Sequence, residues 1–510
     1  MPSETGAEGG RVSKRIFTVT VVALVVLVAA VGVFSYNQIV SDAAQIRELQ
    51  NSYDQLQSSF DQLQSQLNSL EADLSEAASR YDVLLSDHNA LLASPGLTYD
   101  ITDYGAVPDD GGDDAMAFEQ ILSAHPSDVR IRVPRGTFLI GTAIYLRGSD
   151  NVTIFGEGTG SILKLVSRGN ILRIENSDNV MIIDLALDGN SEQITGTEEC
   201  VRAGFYADNL VLRRVYIHDA VGNGVHVFAS SNTFIDNCRV ENTGQVGIDS
   251  RNSGHAIVLN SVDGARIANN VIEGFFGDTG IGVFSGIPGF LGGNAVICNN
   301  TISGAHTDEA AGIGLGGAEN CIIVNNVIFD DEYLYDSMHD VFQGISGIFM
   351  MGEKNVVVNN NEVYGVSGVG IEINNGNNVI AINNHVHDFV GNGTNAQGIF
   401  ISADNTLVEN NTIEDATNHG ILTGGDAGIN IQIINNIIKD TRGVNHADSA
   451  GIRIILDTGD KKYLTIRDNT LINNPYGLYL SGPGHLVDSE ITGNIVIGSE
   501  VPYFGVTQTS

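Results

Sequence analysis

Five stretches of the chain repeat one pattern: NAVICNNTI (294–302), NCIIVNNVI (320–328), NVIAINNHV (378–386), NTLVENNTI (405–413) and NIQIINNII (430–438). Each stretch is a short run of β-forming residues, an Asn pair and a second short run. Aligned on the second residue of the pair, the pattern occupies Leu185, Val215, Cys238, Asn270, Asn300, Asn326, Asn361, Asn384, Asn411, Asn436, Asn469 and Asn494. The mean step is about 28 residues, a period typical of solenoid proteins.

A third short run, of the form Gly-Ile-x-Ile, follows the turn after most of these pairs. It begins at Gly247-Ile248, Gly280-Ile281, Gly312-Ile313, Gly347-Ile348, Gly370-Ile371, Gly398-Ile399, Gly420-Ile421 and Gly451-Ile452. Three short strands per repeat, with Ile and Val pointing inward, predict a mainly β fold: a right-handed, single-stranded parallel β-helix of about twelve coils. Coils stack about 4.8 Å apart, so the aligned Asn side chains are expected to form a structural ladder of hydrogen bonds.

The first coil of a solenoid needs a cover over its open end. Residues 113–122 predict a short N-terminal capping helix, because Ala115 and Phe118 fall on one apolar face. Asp113 and Asp114 stand where carboxylates accept hydrogen bonds from the free N–H groups of a helix start.

The N-terminal region has a different composition. Residues 16–36 predict a transmembrane anchor, because the run from Ile16 to Phe34 is uncharged and long enough to cross a bilayer. The basic residues lie before this run, so residues 1–15 are expected to form a cytoplasmic tail and the rest of the chain to lie outside the cell. A cleaved signal peptide is the alternative.

Residues 37–94 predict a coiled-coil stalk. Apolar residues from Ile46 to Leu91 recur in alternating steps of three and four, which is an unbroken heptad pattern. Such a stalk predicts a homo-oligomer. The remaining residues, 95–510, are assigned to the β-helix domain, and the whole chain is expected to be a single-pass plasma-membrane protein with its C-terminal domain outside.

The charge is strongly negative, with 61 acidic residues against 25 basic ones and a net charge of −36. This balance excludes nucleic acid as a partner, because phosphate binding needs clustered Lys and Arg. The four cysteines show no C-x-x-C spacing, which argues against a structural zinc site. Cys238, Cys298 and Cys321 fall within repeats and are expected to be inert, buried thiols.

Three stretches near the start of the solenoid resemble the opening segment of the pectate-lyase-like β-helix superfamily: ITDYGAVPDDGGDDAMAFEQIL (101–122), VRIRVPRGTFLI (129–140) and NVTIFGEG (151–158). That superfamily includes polygalacturonases, pectate and alginate lyases, mannuronan epimerases and phage tailspikes. The resemblance covers about 400 residues and implies the β-helix fold and a carbohydrate partner. The signature carboxylates of polygalacturonases are absent, so the resemblance implies no particular reaction.

The x residue of each Gly-Ile-x-Ile run is expected to point outward, which places these residues in one column along the solenoid. The column reads His226, Asp249, Gly282, Gly314, Phe349, Glu372, Phe400, Leu422, Arg453 and Tyr479. Aromatic rings stack on sugar rings and glycines leave room for them, which favours a groove for a sugar polymer. The predicted substrate-binding residues are Phe349, Glu372, Phe400, Arg453 and Tyr479. In the alternative interpretation, the aromatic residues only pack under loops.

The predicted catalytic residues are His226, Asp249 and Arg251. Asp249 is expected one coil from His226, with Arg251 on the same side. A carboxylate, an imidazole and a guanidinium on one patch could remove the proton alpha to a uronate carboxylate, or protonate a leaving oxygen. A structural ion-pair cluster is the alternative.

Acidic residues concentrate in two predicted inserts, 330–343 and 440–449, beside this column. The inserts could hold Ca²⁺, or they could be solvated loops; no residues are singled out as metal ligands. The sequence therefore predicts a membrane-anchored extracellular protein that acts on or binds an acidic polysaccharide, as a lyase, hydrolase or epimerase. The alternatives are a non-catalytic glycan-binding or adhesive protein and a structural cell-envelope spike.

Overall fold

The computed structural model describes residues 97–245, 253–307, 310–330, 344–390, 396–424, 428–443, 449–456 and 461–505. The predicted anchor (16–36) and stalk (37–94) lie outside these residues. In the described ranges no helix is both long and apolar enough to cross a membrane.

The described chain is a parallel β-solenoid of about twelve turns, in which short strands pair with the equivalent strands of neighbouring coils. The strands form three stacks. The first stack contains Leu97–Asp100, Val129–Arg132, Val152–Phe155, Met181–Ile183, Val211–Arg213, Gly293–Cys298, Ile322–Val324, Lys354–Asn359, Ile431–Ile434, Thr465–Arg467 and Glu490–Thr492. The second stack contains Gly136–Ile140, Ser161–Leu165, Ala186–Asp188, Tyr216–His218, Arg239–Thr243, Val271–Phe275, Thr301–Ala305, Val327–Phe329, Glu362–Tyr364, His385–His387, Thr412–Glu414, Ile437–Lys439, Thr470–Ile472 and Ile495–Ile497.

The third stack carries the predicted column. It contains Ile144–Arg147, Leu172–Glu175, Val201–Gly204, Thr279–Phe284, Ala311–Gly316, Ser346–Met351, Ile421–Thr423, Ala450–Ile455, Tyr476–Ser481 and Val501–Phe504. Four long strands run through the third stack into the first: Val225–Asp236, Ile257–Ala268, Ile371–Ile382 and Ile399–Glu409. A separate two-stranded sheet pairs Lys461–Lys462 with Leu486–Val487.

The strand register confirms the column with one exception. Successive coils of the third stack align Arg202, His226, Val258, Gly282, Gly314, Phe349, Glu372, Phe400, Leu422, Arg453, Tyr479 and Phe504. The neighbour of His226 is Val258, so the prediction that Gly247-Ile248 begins this strand was wrong. The strand begins at Ile257, and Ala256 takes the place of the glycine.

Glycine recurs just before the third-stack strands, because the backbone there lies close to side chains of the second stack. A Cβ atom on Gly398 would lie 2.4 Å from Cγ2 of Ile413 and 2.5 Å from the carbonyl oxygen of Gly420. Both contacts are far inside van der Waals range, so a larger residue would push the stacks apart. This packing requirement explains why glycine recurs at the first position of the Gly-Ile-x-Ile pattern.

The predicted Asn ladder is present. Each side-chain Nδ2 donates to Oδ1 of the next Asn at 2.9 or 3.0 Å. The ladder contains Asn270, Asn300, Asn326, Asn361, Asn384, Asn411, Asn436, Asn469 and Asn494. The first Asn of a pair has a different role: Asn325, for example, turns the corner with a left-handed φ of 57°, a conformation that Asn tolerates better than most residues.

Replacing Asn326 with alanine should lower the free energy of unfolding by roughly 2–4 kcal/mol. Asn326 is fully buried, donates to Ile297 O and Asn361 Oδ1, and accepts from the backbone N and Nδ2 of Asn300. The change leaves these partners buried and short of a hydrogen bond. Urea denaturation measures the loss. Asn377→Ala, at an exposed strand position, is the matched control, and equal midpoints for the two variants would contradict the ladder's energetic role.

The helix that covers the first coil spans Ala115–Ala124 and buries Ala115, Phe118 and Ile121 among other apolar residues. Asp113 caps it as predicted, because its carboxylate accepts from the backbone N of Ala115 at 3.1 Å. Asp114 makes no such cap. Its buried carboxylate instead accepts from the backbone N–H groups of Val107 and Leu139 and joins the loop to the first coils.

The four cysteines are free and buried. Burial raises the pKa of Cys238 and of Cys321 to about 12. Thiols of this kind stay protonated at neutral pH and react slowly, in agreement with the prediction of inert thiols.

Candidate functional site

Three ionisable side chains, Glu199, Arg202 and His226, meet on the outer side of the third stack. Arg202 and His226 are register partners on adjacent strands, and Glu199 lies in the turn before the Arg202 strand. Glu199 Oε1 lies 2.6 Å from His226 Nδ1, and Glu199 Oε2 lies 2.9 Å from Arg202 Nη1. One carboxylate therefore engages both the imidazole and the guanidinium.

Exposure decreases from the guanidinium to the carboxylate. The side chain of Arg202 is 36% exposed, that of His226 16% and that of Glu199 6%. Burial opposes ionisation of Glu199, but its hydrogen bonds and charge interactions with His226 and Arg202 prevail and lower its pKa. Asn223 Nδ2 adds a hydrogen bond to Oε1 at 3.0 Å. Glu199 is therefore a buried carboxylate that stays ionised at neutral pH.

The partners of His226 assign its tautomer. Nδ1 faces a carboxylate, which only accepts, so Nδ1 carries the proton. Nε2 then accepts from Asn260 Nδ2 at 3.0 Å. This arrangement leaves the basic nitrogen of the ring on the side away from Glu199, and any imidazolium formed there would be stabilised by the carboxylate.

A cleft of about 240 Å³ opens at this cluster. It is lined by Arg202, His226, Phe228, Asn260, Phe284, Ser285, Gly286 and Ile287. The Arg202 guanidinium carbon lies 4.7 Å from the centre of the Phe228 ring, so a cation and an aromatic face form one wall. Gly282 allows the Phe284 ring to lie close to the sheet, because a Cβ atom there would meet the ring at 2.5 Å.

The predicted substrate-binding residues Phe349, Glu372 and Phe400 occupy three consecutive coils further along the same stack. All three side chains are half-buried. Burial raises the pKa of Glu372, although hydrogen bonds from Asn374 Nδ2 at 2.7 Å and Ser346 Oγ at 3.5 Å act against the rise. Glu372 therefore places a polar group that accepts a hydrogen bond at each oxygen between two aromatic rings.

Arg453 and Tyr479 form a second cation–aromatic group on this column, with 5.1 Å between the guanidinium carbon and the ring centre. Arg453 also approaches His419 Nε2 at 3.2 Å. Buried Leu422 separates this group from Phe400. The described members of the predicted site therefore align in one column but form separate groups. His226 lies four strands, or about 19 Å, from Phe349.

The other two predicted catalytic residues, Asp249 and Arg251, lie outside the described residues, and their catalytic role stays a prediction. The expected pairing of Asp249 with His226 in strand register was wrong, because Val258 occupies that position. Sequence reasoning also missed Glu199 and Arg202. Arg202 lies one repeat, 24 residues, before His226. The strand that contains Arg202 does not match the Gly-Ile-x-Ile pattern, because Cys200 occupies the position of the glycine.

The acidic inserts are described only in part, since 331–343 and 444–448 lie outside the described residues. Arg442, which belongs to the second insert, has a structural role. Its Nη2 donates to Phe389 O at 2.7 Å and its Nε to Asp415 O at 3.1 Å. Calcium binding by the inserts stays a prediction.

Two family models match the chain. The first, described as rhamnogalacturonase A/epimerase, pectate lyase-like, matches residues 98–338, and the second, a right-handed β-helix region, matches 341–496. The pre-neck appendage protein of Bacillus phage phi29 is 24% identical over 298 residues, covering 50% of this chain and 32% of that protein. The chain thus spans about a third of the length of the curated relatives it matches.

Two solved structures are similar to the chain at low sequence identity. The N-terminal fragment of bacteriophage phi29 gene product 12 is 16% identical with a TM-score of 0.59, covering 83% of this chain and 74% of that one. A mannuronan C-5 epimerase A-module from Azotobacter vinelandii is 17% identical with a TM-score of 0.45, covering 78% and 99%. The resemblance predicted from the opening segment is confirmed, because the chain matches a pectate-lyase-like family model and a right-handed β-helix family model.

Proposed function

We propose that the protein acts on an acidic, uronate-containing polysaccharide at the cluster of Glu199, Arg202 and His226. The observation that carries the proposal is the 2.6 Å contact between Glu199 Oε1 and His226 Nδ1 beside a cleft that Arg202 and Phe228 line. A buried carboxylate that orients an imidazole, with a guanidinium next to it, supplies a base and a positive charge at one place.

In the proposed reaction, His226 Nε2 removes the proton alpha to a uronate carboxylate. The imidazolium that forms is stabilised by the Glu199 carboxylate. Negative charge develops on the uronate carboxylate as the carbon–hydrogen bond breaks, and the Arg202 guanidinium offsets it. Expulsion of the beta glycosidic oxygen, which takes up the proton held by the imidazolium, would then form a carbon–carbon double bond, as in a lyase. Return of a proton to the opposite face would invert the carbon, as in an epimerase.

The column beyond the cleft supports binding of a polymer instead of a single sugar. Phe349 and Phe400 offer half-buried aromatic faces, and Glu372 lies between them as a polar group. Arg453 next to Tyr479 supplies a further positive charge for a uronate. The family description, with its rhamnogalacturonase and epimerase members, agrees with this class of substrate.

The activity is tested by incubating the full chain with a panel of uronate polysaccharides. New unsaturated ends would identify a lyase, new reducing ends alone a hydrolase, and exchange of the alpha proton with solvent an epimerase. Binding without any of these changes would favour the non-catalytic glycan-binding alternative. The absence of both turnover and binding across the panel would overturn the proposal.

Removing the aromatic rings of the column should weaken binding of long oligosaccharides more than short ones. We expect Phe349→Ala and Phe400→Ala each to weaken binding of a long uronate oligosaccharide by about 5- to 10-fold, roughly 1–1.4 kcal/mol per ring. A disaccharide held only in the cleft should bind as before. Calorimetric titration measures both ligands. Ile437→Ala, on the exposed side of the second stack, is the control, and an equal loss for both ligands would contradict extended binding.

We further propose that residues 16–36 anchor the chain in the plasma membrane with its β-helix outside, and that residues 37–94 assemble it into a dimer or trimer. The uninterrupted heptads support assembly, and the apolar run with basic residues before it supports the orientation. The full chain in detergent should therefore sediment as a dimer or trimer in analytical ultracentrifugation. A monomer at micromolar concentration would contradict the assembly.

A further inference from the structure

Two histidines and a glutamate meet on the outer side of the second stack, away from the column. His385 and His387 alternate on the strand His385–His387 and therefore project from the same side of the sheet. Their rings lie 4.1 Å apart, centre to centre. Glu362 belongs to the neighbouring coil and is the register partner of His385.

The geometry brings one possible ligand atom from each residue close together. One such atom each of Glu362, His385 and His387 lies within 4.8 Å of the other two. Glu362 Oε1 lies 3.3 Å from His387 Nε2. Ligand atoms around a tetrahedral zinc ion, each about 2.0–2.2 Å from the metal, lie roughly 3–4 Å apart, so small side-chain rotations would complete the site.

The contacts of the two histidines show which ring nitrogens are available to a metal ion. Asp388 Oδ2 lies 2.8 Å from His387 Nδ1, which places a proton on this nitrogen, so that Nε2 is the ring nitrogen available to a metal. Nε2 faces the Glu362 carboxylate, the second possible ligand, at 3.3 Å. His385 Nε2 is buried and forms no hydrogen bond within the described part of the chain. A metal ion would satisfy all three acceptors at once.

The surrounding charges indicate which carboxylate would bind. Glu414 Oε1 lies 3.8 Å from His385 Nε2, but the Lys439 ammonium lies 2.7 Å from the same oxygen and neutralises it. Glu362 has no such lysine partner among the described residues. The Asp388 contact would orient His387, as carboxylates behind metal-binding histidines do.

We propose that Glu362, His385 and His387 bind a divalent transition-metal ion of the Zn²⁺ type. Two imidazole nitrogens and one carboxylate oxygen favour zinc over the harder calcium ion, which prefers oxygen ligands only. The site lies on a different stack from the polysaccharide column and is independent of the proposed function.

The second group of this kind serves as an internal control. Asp188, His218 and Asp219 also bring possible ligand atoms together on the second stack. Here Asp188 already has a cationic partner, because Lys164 Nζ lies 2.5 Å from its Oδ2, and the group contains one histidine instead of two. We expect His218 to contribute nothing to the zinc site.

The test is calorimetric titration of the metal-free full chain with Zn²⁺. His385→Gln with His387→Gln should bind one Zn²⁺ fewer per chain than the wild type, and Glu362→Gln should weaken that site by at least about 10-fold, or 1.4 kcal/mol. His218→Gln should bind as the wild type does. His387→Phe keeps a ring to stack on Tyr364, at 5.2 Å in the wild type, and should lose the site without unfolding.

Zinc stoichiometry and affinity that are unchanged in both the double variant and His387→Phe would overturn the proposal. Loss of the site in His218→Gln, or displacement of Zn²⁺ by excess Ca²⁺, would also overturn it. Melting temperatures of the metal-free variants show whether any loss of binding is a loss of fold.

Discussion

The His226→Gln variant of the full chain is expected to turn over its polysaccharide at least about 100-fold more slowly than the wild type while remaining folded. Glutamine can still accept from Asn260 and contact Glu199, but it cannot take up a proton at neutral pH. His226 is only 16% exposed and lies outside the Ile and Val core, so the solenoid should tolerate the change. Initial rates and melting temperatures measure the two effects.

Substitutions of the residues that support His226 provide further tests of its role. Glu199→Gln keeps the shape and removes the charge that stabilises the imidazolium, so the rate should fall by about 10- to 100-fold. Asp249→Asn should lower the rate by a similar factor if Asp249 contributes as the sequence predicts. It should leave the rate unchanged if Glu199 alone supports His226. His218→Gln, which removes another carboxylate-paired imidazole on the second stack, should leave the rate unchanged. Full activity in His226→Gln would exclude the proposed base.

Glu353 should make the protein less stable as pH rises. Its carboxyl group is fully buried, and neither oxygen forms a hydrogen bond among the described residues. Burial raises its pKa from the ordinary value of 4.5 to about 8. The folded protein therefore holds a neutral Glu353 at pH 7, whereas the unfolded chain has already released that proton.

The sign of the effect follows from proton binding. Below pH 4.5 both states are protonated, so Glu353 does not make stability depend on pH. Between pH 4.5 and about 8 the folded state binds the extra proton, so stability falls as pH rises. At about 1.4 kcal/mol per pH unit the loss reaches roughly 4–5 kcal/mol above pH 8. Glu353→Gln removes the titration, and the variant should gain on the wild type by about that amount across this interval.

Urea denaturation of both proteins between about pH 4 and pH 9 measures the difference. Glu319→Gln, an exposed glutamate that pairs with Lys354 at 2.8 Å, is the control and should follow the wild-type curve. A constant difference between Glu353→Gln and the wild type at all pH values would show that Glu353 does not titrate in this interval.

The fold was predictable because its packing constraints recur at each coil. Buried Asn residues in the ladder and Gly residues beside the second stack recur in the sequence at a regular interval, as Asn326 and Gly398 show. Where another residue meets the same constraint the pattern is lost. Ala256 occupies the position of the glycine before the strand that contains Val258. The sequence pattern therefore predicted Asp249, instead of Val258, as the register neighbour of His226.

The site was only partly predictable, because its members come from turns and from coils that depart from the pattern. Glu199 lies in a turn whose length varies between repeats, so its approach to His226 depends on the path of the chain and not on the period. Glu353 is likewise a turn residue, next to Gly352 with φ of 78°. Its charged side chain gave no reason to expect full burial.

The central claim, that the protein recognises the carboxylates of a uronate polymer, is tested most directly by titrating the full chain with a uronate polysaccharide and with the same polymer after chemical reduction of its carboxyl groups. We predict at least about 10-fold weaker binding of the reduced polymer, or 1.4 kcal/mol. Arg202→Gln should narrow this difference by weakening binding of the acidic form alone. Equal binding of the two polymers by the wild type, or binding of neither, would contradict the claim.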